Sequence, residues 1–320
     1  MSSSILQPVF PIDGDVLHAF DGNVTADGLQ CTVQVAAPTG SRIYINGRQA
    51  TEKEGGIFVA DILFNNYHNI LEIRESNTGE ATRITVYYAK KFAGKYRLSI
   101  DDNIRFLQDI AAHADSYNSL FDNPYLKGLQ QIHQQYRIKV HLNLLYQSVD
   151  GDFTLSEFPD SYKNEWETNA GWLRLSFHAY SEFPDEPYKN ASYEKVKEDC
   201  DLIVGHIKRF AGESVLGPVT TIHWGELNRN GAKALRDSGY RCLAGYFNVD
   251  DDEAPVSYYC SVEERRHVKK RFIWKDETED IIFTRNSMVL DKTAKQDIAA
   301  KMNAYARMPS GLPPYVDYLI

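Results

Sequence analysis

Two adjacent carboxylates, Asp101 and Asp102, close the run Tyr96-Arg97-Leu98-Ser99-Ile100, and their position carries more information than their pairing. At the C-terminal mouth of a strand, side chains at i and i+1 point apart, so one carboxylate can hold a metal while its neighbour handles a proton. The same Asp102-Asn103 step ahead of an apolar stretch also reads as a helix N-cap. Downstream, His178 with Glu182 follows a strand-like run over 172–177, and His223 with Glu226 follows another over 219–222. Asp102, His178 and a third group of His or Glu type form a nitrogen and oxygen donor set suited to zinc or a similar divalent ion with open positions. Glu182, His223 and His141 compete for the third place. Each histidine and glutamate also has a plainer reading, since strand histidines are often satisfied core groups and most loop glutamates are solvated.

Those residues need elements to position them. From residue 96 onward, strand-like and helix-like segments alternate: strands over 96–100, 138–145, 172–177, 219–222, 241–244, 271–274 and 281–283, with helical spacing over 196–210, 232–238 and 293–306. Repeated βα units of this sort predict a parallel sheet, most simply a distorted β/α barrel over 93–320. The first 92 residues read differently, as short β-strands and turns, with Asn46-Gly47 as a hairpin turn and no helix, which predicts a β-sandwich module over 1–92. The run 315–320 reads as a strand with no turn after it, so the expectation is that the second domain is truncated at Ile320.

Composition narrows the function classes. The chain has 320 residues, 43% hydrophobic and 25% charged, and a formal net charge of -9, which disfavours a nucleic-acid surface. Its one basic run, Arg265-Arg266-His267-Val268-Lys269-Lys270-Arg271, reads as a solvated loop and strand edge. No stretch approaches the roughly 20 apolar residues of a membrane span, and residues 1–8 lack the pattern of a signal peptide, so the expected location is cytoplasmic. Four widely spaced cysteines indicate neither a disulfide framework nor a thiolate zinc site. The oligomeric state has no signature in the sequence.

The motifs over 96–247 resemble the polysaccharide deacetylase family, with its NodB-type homology domain, also grouped as carbohydrate esterase family 4. Ser99-Ile100-Asp101-Asp102 is similar to its first motif, and the likeness implies Asp101 as catalytic base and Asp102 as metal ligand. The second motif pairs two histidines four residues apart; here His178 matches and Glu182 stands in the second place. The third motif resembles Thr221-Ile222-His223-Trp224-Gly225, with Thr221 where the family has arginine and His223 where it has proline. The resemblance implies a distorted β/α barrel, a divalent metal (zinc, with cobalt or nickel as alternatives) and an acetylated carbohydrate as substrate. It further implies an oxyanion donor at the Trp224 amide, sugar contacts at Trp224 and Tyr180, and His223 as substitute for a terminal acid histidine that the chain lacks. The N-terminal pattern resembles the immunoglobulin-like modules attached to carbohydrate-active enzymes. The alternative is a glycan-binding or scaffold protein that keeps the metal site and has lost turnover.

Overall fold

In a computed structural model, residues 6–92, 94–249, 257–306 and 315–320 are described. The start of the N-terminus read for a signal peptide (residues 1–5) and Ala93 at the expected domain boundary lie outside them. The chain divides into two compact units, one of residues 1–95, 273–278 and 300–315, the other of residues 96–272, 279–299 and 316–320.

The first unit holds strands β1 (Gln7–Phe10), β2 (Asp15–Leu17), β3 (Asn23–Val24), β4 (Leu29–Ala36), β5 (Ile43–Ile45), β6 (Arg48–Gln49), β7 (Thr51–Lys53), β8 (Ile57–Phe64), β9 (His68–Glu75) and β10 (Ala81–Tyr88). One sheet runs β1-β4-β8-β7, with β3 on β4; a second includes the path β2-β10-β9-β5-β6. Alternation in the sequence explains the core: the buried face of β4 is Leu29, Cys31, Val33 and Val35, and that of β8 is Phe58, Ala60, Ile62 and Phe64. Asn46 and Gly47 take φ of 48° and 77°, as a tight hairpin between β5 and β6 requires.

The second unit begins with β11 (Lys95–Asn103), α1 (Arg105–Ala112), α2 (Pro124–Tyr136), β12 (Val140–Leu145), α3 (Lys163–Asn169) and β13 (Leu173–Ala179). It continues with α4 (Tyr193–Ala211), β14 (Val219–Thr220), α5 (Arg229–Asp237), β15 (Cys242–Gly245) and α6 (Val262–Arg271). Beyond β16 (Ile273–Asp276), which belongs to the first unit, come β17 (Ile281–Val289), α7 (Lys295–Ala306), whose residues from Ala300 onward belong to the first unit, and β18 (Tyr315–Leu319). Local signals set the helix ends: Ser192 caps α4 by accepting from the Lys195 N–H, Gly212 stops it at φ 86°, and Asn228 caps α5 through the Gly231 N–H. No helix among the described residues is long and apolar enough to cross a membrane.

The expected architecture, an immunoglobulin-like sandwich followed by a NodB-type barrel, is corrected here. In the first unit β2 pairs parallel with β10, and a strand from far along the chain, β16, pairs antiparallel with β2 at Trp274 and Asp15. That arrangement is neither contiguous over 1–92 nor all antiparallel. Residues 271–274 were expected as a barrel strand, but an apolar run specifies a strand without specifying its neighbour.

In the second unit the sheet order is β13-β12-β11-β18-β17, with β15 on β17 and β14 on β15. Its path has two ends, β13 and β14, and among the described residues an isolated bridge from Leu175 to Leu216, rather than a ladder, lies between them. β14 is two residues long, too short to close a barrel. The basic run over 265–271 is also corrected: it lies in α6, which starts with a capping box in which Ser261 and Glu264 satisfy each other's backbone N–H groups.

Candidate metal centre

β11, β12 and β13 pair in parallel, so the ends that carry Asp101 and His178 open on the same edge of the sheet. Against β12, Ile100 sits opposite Leu142 and Asn103 opposite Leu144, three steps against two. The extra residue is a β-bulge at the aspartate pair. Asp102 takes φ 55°, a left-handed backbone that only short polar side chains tolerate at modest cost. Asn103 secures the bulge: its Nδ2 donates to the carbonyls of Ile100 (2.6 Å) and Asp101 (3.1 Å), and its Oδ1 accepts from the Tyr125 hydroxyl at 3.0 Å. The N-cap alternative fails, because Ile104 is the N-cap residue of α1 and Asp102 lies within β11.

Three side chains converge. Asp102 Oδ1 lies 2.9 Å from His178 Nε2 and 3.1 Å from His223 Nδ1, and the two ring nitrogens are 3.1 Å apart. The outer nitrogens face backbone carbonyls: His178 Nδ1 meets the Thr221 carbonyl at 2.5 Å and His223 Nε2 the Glu182 carbonyl at 3.0 Å. A carbonyl only accepts, so both outer nitrogens carry a proton, and in the neutral form of either ring the inner nitrogen is then a lone pair. In that form two lone pairs and a carboxylate oxygen within about 3 Å repel one another unless positive charge, a proton or a metal ion, lies among them. Ligand atoms about 2.0–2.1 Å from a tetrahedral zinc lie about 3.3 Å from one another, close to these separations. Outer N–H groups fixed on carbonyls are also the usual support of metal-binding histidines. Asp102, His178 and His223 therefore make a set that fits a metal ion.

Without a metal, the electrostatics place a proton between His178 and Asp102. Burial disfavours a charged His178, yet Asp101 and Asp102 outweigh it and push its pKa up to about 8. Burial also acts against the Asp102 charge, but hydrogen bonds from His178 and His223 hold its carboxyl well below the usual range. Burial raises the pKa of Asp101, opposed by His178, by the Asn143 amide and by Arg97. Asn143 Nδ2 donates to Asp101 Oδ1 at 2.5 Å.

The residues named from sequence divide clearly. Asp101, Asp102, His178, Glu182, His223 and Trp224 line one cavity of about 580 Å³, together with Tyr246, Asn248, Asp291 and Lys292. Of the candidates for the third place, His223 joins the cluster, while Glu182 meets it through its main-chain carbonyl and its carboxylate is not among the three converging groups. His141 lies elsewhere, accepting from Arg97 Nε at Nδ1 and pairing with the Ser176 hydroxyl through Nε2. Glu226 is buried but outside the cluster. Tyr180, expected as a sugar contact, packs its ring 5.0 Å from that of Tyr146 and is not among the residues lining this cavity. Trp224 is 45% exposed with φ 63°, a strained conformation for a bulky residue at a cavity wall. His223 Nε2 is held by the Glu182 carbonyl, and its Nδ1 faces His178 and Asp102. Sequence reasoning missed Asn143, although Val-His-Leu-Asn-Leu-Leu over β12 places two polar groups at i and i+2 on one face.

No protein-family model matches the chain, and no curated protein matches it. Among solved structures, a Bacteroides fragilis protein provisionally described as an alpha-galactosidase aligns over 99% of this chain and 75% of its own, at 9% identity and a TM-score of 0.32. A second from that organism, provisionally described as an alpha-galactosidase/melibiase, aligns over 73% and 56%, at 10% identity and a TM-score of 0.21. Likenesses this weak carry no argument about chemistry.

Proposed function

We propose that this protein is a metal-dependent hydrolase that removes acetyl groups from an N- or O-acetylated carbohydrate. The observation that carries the reading is the triangle of Asp102, His178 and His223, with the outer nitrogens held by carbonyls and Asp101 beside it at the wall of one cavity. Zinc suits two imidazoles and one carboxylate, and cobalt or nickel would be accepted by the same donors. When bound, such an ion would polarise an acyl carbonyl and acidify a water molecule.

The chain's own groups supply the rest. Asp101, with its pKa raised by burial and one oxygen fixed by Asn143, is the proton acceptor for the attacking water. The proton it gains is then available for the departing amine or alkoxide, so that Asp101 serves as base and as acid in turn. The Trp224 amide is assigned to the developing oxyanion, and the exposed indole to the sugar face.

The test is acetate release from acetylated chito- and xylo-oligosaccharides by zinc-loaded protein, with Asp101→Asn as the comparison. Release that falls at least about 100-fold in Asp101→Asn is expected, the usual scale for a general base. Metal binding without acetate release favours the second reading, a binding protein without turnover, to which Thr221 in place of the family's arginine points.

A further inference from the structure

Glu182 takes part through a backbone carbonyl, so the orientation of His223 depends on what holds that segment of main chain. We propose that Tyr188 is a positioning residue for the metal centre, acting from a buried post behind the segment over 180–188; this rests on the metal-binding reading above. Tyr188 is 1% exposed. Its hydroxyl accepts from the Tyr180 N–H at 3.0 Å and donates to Asp199 Oδ2 at 3.0 Å. Tyr180 is also held on its other side, where its carbonyl accepts from the N–H groups of Tyr146 (3.0 Å) and Gln147 (2.9 Å). Two residues further on, the Glu182 carbonyl takes the His223 Nε2–H. The Tyr188 ring meanwhile packs 5.7 Å from that of Phe177, the residue before His178. One side chain thus bears on both histidines.

Asp199 gives the independent observation. It is 2% exposed on a stripe of α4 otherwise made of Val196, Cys200, Ile203, Ile207 and Phe210. A buried carboxylate among apolar neighbours costs stability unless its hydrogen bonds are met, and Lys195 Nζ (2.8 Å) and the Tyr188 hydroxyl meet them. A helix packing for stability alone would place a leucine there. Asp199 instead fixes the phenol, and the phenol fixes the chain that presents a carbonyl to His223. Outer groups of this kind typically alter metal affinity about 10- to 100-fold when removed.

Zinc affinity measured by competition with a chromophoric chelator tests this in the full chain. Tyr188→Phe keeps the ring and removes the hydroxyl; about 10-fold weaker zinc binding is expected. Tyr193→Phe, which removes a hydroxyl bonded to Asp237 from the same helix, should bind zinc as the wild type does. Asp199→Asn should weaken binding in the same direction by less, and it stands in if Tyr188→Phe does not fold. Nitrogen-15 spectra of the metal-free histidines give a readout that mere stability would not move: His223 should be the Nε2–H tautomer in the wild type and a mixture in Tyr188→Phe. Unchanged affinity and tautomer in Tyr188→Phe overturn the role of Tyr188 and leave the metal centre standing. A wild type that binds no zinc overturns both.

Discussion

In the first unit the inward face of β4 reads Leu29, Cys31, Val33, Val35; in the second, one face of β11 reads Arg97, Ser99, Asp101. The contrast continues on neighbouring strands, where β12 adds His141 and Asn143 and β13 adds Ser176 and His178. Arg97 Nη1 donates to the Ser99 hydroxyl at 3.0 Å and pairs with Asp317 at 3.2 Å; Ser176 in turn donates to the Val219 carbonyl at 2.9 Å. An apolar interior of the first kind is the inexpensive way to stabilise a sheet. A polar column costs about 1–3 kcal/mol for each group left unpaired, so its presence under one edge of one sheet marks what that sheet is for. Carboxylates in the first unit are used differently, as turn fasteners: Glu75 accepts from the N–H groups of Thr78 (2.5 Å) and Arg42 (3.1 Å).

The largest test of this contrast is Arg97→Leu. It leaves Asp317, wholly buried, without its counter-charge, and stability measured by urea unfolding should fall by about 3–5 kcal/mol. A loss under 1 kcal/mol would mean that the column contributes nothing. Asp317 itself gives the next effect. Burial outweighs Arg97 and pushes its pKa up to about 6. The folded state therefore binds a proton that the unfolded chain has released, and this contribution to stability is full below about pH 4 and lost as pH rises through about 6. The loss is roughly 3 kcal/mol. In Asp317→Asn that slope should vanish between pH 4 and 6. Glu75 in the first unit has the opposite sign. Hydrogen bonds from Thr78, opposed by burial, lower its pKa to about 2, so its contribution is present above about pH 4.5 and lost as pH falls through about 2. Glu75→Gln should be less stable at pH 7, with the gap closing below pH 4.5; a gap that widens there would contradict the assignment.

Much of this was legible before any coordinates. β4, β8, β9 and β10 follow from alternation, and α4 from the spacing of Val196, Cys200, Ile203 and Ile207 closed by Gly212. Asp102, His178 and His223 were legible because metal-ligating side chains at the ends of separate parallel strands must share an edge. What escaped was relational. Nothing local in Ile273-Trp274-Lys275-Asp276 says that it pairs with β2. α6 has a readable cap at Ser261 and Glu264, but its body is charged all round and shows no apolar stripe. The role of Glu182 was hidden for a simpler reason: a carbonyl is the same atom in every residue, so its side chain drew attention that its backbone deserved.

The central claim, that Asp102, His178 and His223 form a metal centre, is tested most directly by titrating the full chain with cobalt(II) and following visible absorption. One equivalent should bind, with intense bands of a low-coordinate site that disappear in Asp102→Ala and in His178→Ala. Absence of bound cobalt, or a spectrum unchanged in both variants, would contradict it.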